Sequence, residues 1–218
     1  MREILRWRGP FLFFLLAIRE LLRPVLYWHV FYIFETDVAQ KPLPESYAKD
    51  KLDVRVYTKE LEVEKAKAEV AAMGELDSEK IVSRLNRGDA VAIAYAAGEP
   101  MGYGWLSFST EAVELAFGVK WIVRPGEAVK YGNFVPPRRR GRGIQSAVNA
   151  AANAYARDLG LARTLSSIST VNTQSMSLAK HYSKVSTMKV VLVRVPALGW
   201  TMRRASGAPF ESRFTLPA

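Results

Sequence analysis

Asn133-Phe134-Val135-Pro136-Pro137-Arg138-Arg139-Arg140-Gly141-Arg142-Gly143-Ile144 is the stretch that decides how this chain folds. It opens as the end of a strand-like run, Lys130 to Val135, which two prolines bring to a stop. It closes at the start of the most regular helical pattern in the chain. Ile144, Ala147, Val148, Ala151, Tyr155 and Leu159 recur at spacings of three and four and make one apolar face, and Gly160 is placed to end the helix. Between strand and helix lies a turn with four arginines in five positions, Arg138 to Arg142. N–H groups at a Gly-rich turn entering a helix have no intrahelical partner. The helix dipole adds partial positive charge there, so the turn suits an anion such as a pyrophosphate.

Working outward, Gly98-Glu99-Pro100 predicts a turn between two strand-like runs, Ala90 to Ala97 and Met101 to Phe108. Leu52 to Tyr57 alternates as a strand, residues 59–73 lean helical, and Asp77 or Ser78 can cap a short helix that Gly88 ends. Residues 111–135 hold more β-type sequence, with Pro125-Gly126 as a turn. Beyond the central helix, Leu165–Ser169 predicts a strand, Asn172-Thr173-Gln174-Ser175 a cap before a helix reaching about Lys184, and Lys189–Val195 a strand, with another in 200–214. Meandering strands followed by strand–helix–strand–helix–strand imply an α/β (α+β) fold, one mixed sheet with helices on both faces.

The chain has 218 residues, 49% hydrophobic and 24% charged, enough for one domain with a real core plus an extension. Its formal net charge of +10 favours anionic partners without choosing among nucleic acid, phosphorylated cofactors and anionic membranes. With no cysteine and only His29 and His181, disulfides, thiolate chemistry and a His- or Cys-based metal centre are excluded, and no metal is expected. Residues 1–40 read as an N-terminal extension: Arg2, Arg6 and Arg8 precede an apolar run from Phe11 to Ile18, and Val25 to Phe34 is again apolar and aromatic-rich. Eight apolar residues are too few for a spanning helix, which needs roughly 20. No small-x-small cleavage site follows. Two readings stand: an interfacial helix making peripheral membrane contact, or packing on the domain or on a second subunit in a homodimer. Residues 41–51, with Pro42 and Pro44, are expected to be a linker, and 52–218 the main folded domain. A cytoplasmic location is expected, at the inner face of the membrane if residues 1–37 lie in the interface.

The run Arg138-Arg139-Arg140-Gly141-Arg142-Gly143 resembles the Gln/Arg-x-x-Gly-x-Gly/Ala signature of the Gcn5-related N-acetyltransferase superfamily. Asn172-Thr173-Gln174-Ser175 resembles the Asn-x-x-Ser/Ala start of that family's fourth helix, and Gly102-Tyr103-Gly104-Trp105 its second-to-third strand hairpin. The resemblance covers roughly residues 52–195. It implies the acyl-CoA N-acyltransferase fold and transfer of an acyl group from acetyl-CoA or another acyl-CoA to the primary amine of a small-molecule acceptor, by direct attack in a ternary complex. It implies that N–H groups from Arg139 to Ile144 hold the pyrophosphate, with Arg138 beside them, and that Gly141 and Gly143 let the backbone approach. Phe134 and Val135 would offer main-chain groups to the pantetheine arm, and Asn172 and Ser175 would serve the cofactor or the next loop.

The chemistry needs a free amine, a donor for the developing oxyanion and a proton for the departing thiolate. The family's acid, a Tyr seven residues after the Asn, would fall on Ala179. Tyr182, three residues further and about a sixth of a turn away, is the nearest substitute. Glu127 is the candidate base, against a solvated place in the Pro125-Gly126 turn. Trp105 is the candidate acceptor-site wall, against a strand-packing role. The variants of this reading are a membrane enzyme making long-chain N-acyl amino acids and a non-catalytic CoA-binding domain. A nucleic-acid surface built on Arg-Gly-Arg-Gly with Tyr131 and Phe134 as stacking platforms is less favoured, because no RNP, KH-type or zinc-finger pattern accompanies it.

Overall fold

The computed structural model describes residues 25–39, 52–59, 62–74, 76–109, 113–116, 119–182, 186–198, 200–206 and 214–215, together with helical positions 14, 17, 18 and 20–22. Residues 1–13 and the expected linker 41–51 lie outside the described residues. The chain forms two compact units, Met1–Phe34 with Ser167–Ser212, and Glu35–Ser166 with Arg213–Ala218. This division does not follow the expected boundaries at 40 and 52.

In the larger unit the strands run in the order β8-β7-β4-β3-β2: β2 is Asp53–Tyr57, β3 Ala90–Ala96, β4 Glu99–Ser107, β7 Glu127–Phe134 and β8 Arg163–Ser169. All neighbours are antiparallel except β7 and β8. A small second sheet holds β5 (Val113–Ala116), β6 (Val119–Trp121) and β11 (Phe214–Thr215). Helices α1 (Val63–Ala72) and α2 (Ser78–Asn86) cover one face. Ala66, Val70, Ile81 and Leu85 pack there with Tyr57, Val91, Ile93, Tyr95, Tyr103 and Trp105. Asp77 caps α2 by accepting from the Lys80 N–H at 2.8 Å, as its sequence predicts. The β3–β4 turn sits one residue earlier than expected, at Ala97-Gly98. Both have positive φ, 49° and 82°, as a two-residue hairpin turn of the primed kind requires.

Helix α3 (Ile144–Asp158) covers the other face. Its buried stripe is Ile144, Val148, Ala152 and Ala156, with Ala147 beside it. The expected face drifted to Ala151, Tyr155 and Leu159, of which Leu159 is 50% exposed; alanines on both sides of the stripe hid its centre. Gly102 and Gly104 of β4 lie under this helix. A Cβ on Gly102 would meet Ile144 Cγ2 at 2.9 Å, and one on Gly104 would meet Val148 Cγ1 at 2.9 Å and collide with Asn133 Oδ1. The two glycines quoted for the hairpin are there to let α3 approach the sheet.

In the smaller unit β9 (Ser186–Val195) lies between β1 (Tyr27–Asp37) and β10 (Trp200–Ser206), antiparallel to both, and α4 spans Thr173–Tyr182. The apolar run Val25–Phe34 is therefore largely a sheet strand. Its register runs from Tyr27↔Arg194 to Phe34↔Ser186, and this corrects the reading of residues 1–40 as one amphipathic extension. Tyr27, His29, Phe31 and Ile33 alternate as its buried positions. Among the described residues no helix is long and apolar enough to cross a membrane.

Candidate functional site

β7 loses one of its two neighbours half-way along. Its parallel pairing with β8 runs Glu127↔Arg163, Ala128↔Thr164, Val129↔Leu165 and Lys130↔Ser166, and stops there. On the other side β7 stays paired with β4, from Ser107↔Val129 to Tyr103↔Phe134. That ladder contains a bulge: Trp105 faces Tyr131 and Tyr103 faces Phe134, so Gly132 and Asn133 together oppose the single residue Gly104. Gly132 has φ 54°, the left-handed conformation of a glycine in the first bulge position. A bulge adds local twist, which turns the second half of β7 off the line β8 follows. Gly132 and Asn133 are exposed, whereas Glu127 to Lys130 are buried. Backbone groups on this open edge of Tyr131–Phe134 are placed for a ligand to satisfy.

The arginine–glycine run begins where that edge ends. Pro137–Arg139 makes one 3₁₀ turn, with Arg139 N–H donating to the Pro136 carbonyl at 2.8 Å. The two middle arginines are turned inward. The guanidinium of Arg139 donates to the Pro100 carbonyl and lies 3.4 Å from Glu99, and Arg140 Nε donates to the Val135 carbonyl at 3.0 Å. These bonds fasten the loop to the β3–β4 hairpin and to β7, so Arg139 and Arg140 act as clamps as well as charges. The Val135 carbonyl, expected to be offered to a cofactor, is taken by Arg140. Arg138 and Arg142 are exposed.

Gly141 and Gly143 both have φ 79°, and nothing lies within 4 Å of a Cβ built on Gly141. Gly143 is the N-cap of α3. It has no side chain to occupy the first-turn N–H groups, and no acidic residue stands in that turn. The first helical bond is Ala147 N–H to the Gly143 carbonyl, at 3.1 Å. Open space, a helix N-terminus without a side-chain cap and excess positive charge coincide at one end of β7. This fits the pyrophosphate of a nucleotide cofactor better than it fits a protein side chain.

Two solved structures share the fold. An acetyltransferase of the GNAT family from Colwellia psychrerythraea superposes with a TM-score of 0.52 at 14% identity, over 83% of this chain and 61% of that one. A GCN5-related N-acetyltransferase from Kribbella flavida does so with a TM-score of 0.52 at 14% identity, over 81% of this chain and 62% of that one. The fold is that of the Gcn5-related N-acetyltransferases. No protein-family model matches the sequence, and no curated protein is similar to it in sequence.

Within this acyltransferase fold the other expected site residues fall in different places. Trp105 is 1% exposed in the core under α1 and α2, so it is not an acceptor-site wall; its strand borders the site but its side chain points into the packing. Glu127 is 3% exposed and sits at the far end of β7, about 17 Å along the strand from Gly132 at roughly 3.3 Å per residue. Its Oε1 pairs with Arg163 Nη2 at 2.8 Å and its Oε2 accepts from the Arg124 N–H at 3.3 Å. Both oxygens are engaged and the distance is too great for a base acting at the bulge, so Glu127 is structural, though buried and paired rather than solvated. Asn172 and Ser175 belong to the smaller unit, where Asn172 Oδ1 caps α4 by accepting from the Ser175 N–H at 3.2 Å. Ala179 is buried in α4; Tyr182 ends that helix and its side chain lies outside the described residues.

Sequence reasoning missed what stands behind the bulge. Asp89, fully buried, accepts from Ser107 Oγ at 2.5 Å and from both Tyr131 OH and Arg87 Nη2. Burial and the neighbouring Asp89 charge push the Tyr131 phenol well above its ordinary range, so it stays protonated and donates. On the α3 face Lys130 is buried with one neutral partner, Asn153 Oδ1 at 2.9 Å, and burial lowers its pKa to about 8. The bulge had a signal in the sequence, since a lone glycine inside a strand pattern marks one. Asp89 and Arg84 had none.

Proposed function

We propose that the protein is an acyl-CoA-dependent N-acyltransferase that moves an acyl group, acetyl in the simplest case, to a primary amine. One observation carries this reading: the open edge of β7 runs directly into a helix N-terminus with left-handed glycines and no competing side chain. An elongated ligand with an anionic middle and an amide-bearing arm matches that continuity. Bound there, acyl-CoA would supply a thioester whose C–S bond breaks as the amine nitrogen forms the amide.

In this reading the N–H groups around Gly141 and Gly143 hold the pyrophosphate, and the exposed Arg138 and Arg142 add long-range attraction. The main chain of Asn133 to Val135 holds the arm. The backbone at Gly132-Asn133, freed from ladder pairing by the bulge, lies where an N–H can receive negative charge developing on a carbonyl oxygen. The proton that the attacking nitrogen gives up balances the one that the departing thiolate takes on. The fold this chain shares with two acetyltransferases supports the acyltransferase class.

Gly141→Glu tests the reading. A side chain has room at this position, so the variant stays folded with only the strain of a left-handed residue, about 1 kcal/mol. Its carboxylate stands where the phosphates would bind. Calorimetric titration with coenzyme A should show binding to the wild type and none to the variant. Equal binding by both would remove the loop from the site, and with it this function.

A further inference from the structure

Arg84, in the last turn of α2, lies against the bulge from the face opposite α3. Its guanidinium carbon is 5.1 Å from the ring centroid of Trp105 and 4.8 Å from that of Tyr131. A Cβ on Gly132 would meet Arg84 Nη1 at 2.8 Å, so the glycine that makes the bulge also makes room for the cation. Nη1 is buried and has no hydrogen-bond partner, while the residue as a whole is half-buried. Two aromatic faces fix the plane of the guanidinium. The group therefore stands, held and unpaired, beside the point where β7 leaves β8.

The local charges do not balance. Asp89, Arg84 and Arg87 are the charged groups acting on Tyr131. Arg87 pairs with Asp89 directly. Among the described residues Arg84 has no carboxylate partner, and a half-buried guanidinium with an unpaired Nη1 is a costly arrangement for a stable protein to keep without a ligand. A planar fork of donors held rigidly is the group that recognises a carboxylate.

We propose that Arg84 binds the carboxylate of the acceptor, so that the substrates are amines carrying a carboxylate a few bonds from the nitrogen, as an amino acid does. This assignment rests on the acyltransferase reading and names the acceptor class for it. A carboxylate paired with Arg84 puts the attached amine beside Gly132-Asn133, at the bulge. The same positive charge disfavours the ammonium form of that amine and raises the fraction able to attack. Arg84 is a specificity-determining residue here, distinct from the loop that holds the nucleotide.

The test uses the full chain and two bisubstrate analogues, coenzyme A joined through a thioether-acetyl linker to glycine or to glycinamide. Calorimetry should show the wild type binding the glycine analogue more tightly, by about tenfold or more, as one charge-assisted hydrogen bond warrants. In Arg84→Gln the difference should vanish while affinity for free coenzyme A is unchanged, and in Arg84→Lys a smaller preference should remain. Equal affinities in the wild type overturn the assignment whatever the variants do, and so does a preference that survives in Arg84→Gln. If neither analogue nor coenzyme A binds the wild type, the acyltransferase reading itself falls and takes this assignment with it.

Discussion

From Glu127 to Lys130, β7 is paired with β8, at Val129 and Lys130 with β4 as well, and every residue is buried; from Tyr131 to Phe134, among the described residues, it is paired with β4 alone and its glycine and asparagine are exposed. The two halves share one strand and one neighbour, β4. The first ends in a closed ion pair, Glu127 with Arg163, that leaves no carboxylate oxygen over. The second is turned by a bulge and backed by a cation that nothing neutralises. A titratable residue in a strand next to a site is therefore no guide to chemistry. What separates a structural half from a ligand-facing half is where the ladder stops. Backbone groups that lose a partner must find another, and on the proposed function that partner is the ligand.

The contrast depends on the open half being held from behind, and Asp89 is the test with the largest expected effect. Asp89→Ala removes the acceptor for Ser107, Tyr131 and Arg87 together and leaves Arg87 without its anion. Unfolding by urea should show a loss of about 3–5 kcal/mol. A loss below about 1 kcal/mol would mean that the open half holds its shape without this network.

The closed half makes a pH prediction through Lys130. Its folded pKa, about 8, lies below its unfolded value, so folding favours the neutral amine. Between about pH 8 and 10.5 the unfolded chain binds more protons from this residue than the folded one, and stability rises with pH by on the order of 3 kcal/mol. Below pH 8 the penalty is fully present. Lys130→Met should remove the rise and be the more stable protein at pH 7, since Asn153 Oδ1 keeps Thr164 Oγ1 as a donor at 2.8 Å. Parallel pH profiles of the urea midpoint for the two proteins decide it. Coincident profiles would show that the Lys130 amine is hydrated and that the closed half is less dry than its packing implies.

Much of this was legible in the sequence, for reasons that are local. The two prolines, the glycines at 141 and 143 and the periodic helix after them are short-range signals, and the loop sits where they put it. The cap at Asp77 and the strand Ser186–Val195 were readable in the same way. The misreadings are tertiary. Val25–Phe34 carries the same apolar residues as an interfacial helix, and only its pairing with a strand some 160 positions later, Phe31↔Val190, makes it a sheet element. Trp105 and Glu127 were assigned to the site because their strands border it, but a strand's two faces and two ends go to different places. Asp89 and Arg84 are brought to the bulge by the packing of α2, and nothing in their own neighbourhood announces it.

The smallest expected change in stability falls on the residue that divides the two halves. Gly132→Ala forces a Cβ into a left-handed backbone, at roughly 1–2 kcal/mol, and into contact with Arg84 Nη1 and with Trp105 Cδ1 at 3.2 Å. The Cβ pushes the guanidinium off its two aromatic rings at some cost without breaking the core, so the protein should remain folded with a lower urea midpoint. Its displacement moves the cation away from the bulge, and relief of the left-handed strain pulls Gly132-Asn133 back toward regular pairing. Activity with acetyl-CoA and a carboxylate-bearing amine should then fall by much more than the lost stability accounts for, while coenzyme A affinity, set chiefly by the loop ten residues on and only in part by the main chain of Asn133 to Val135, falls much less. A variant that loses coenzyme A binding in proportion to activity would show that the bulge and the loop act as one unit. A variant that keeps full activity would show that the open half of β7 needs only its missing neighbour, and not the bulge, to be a site.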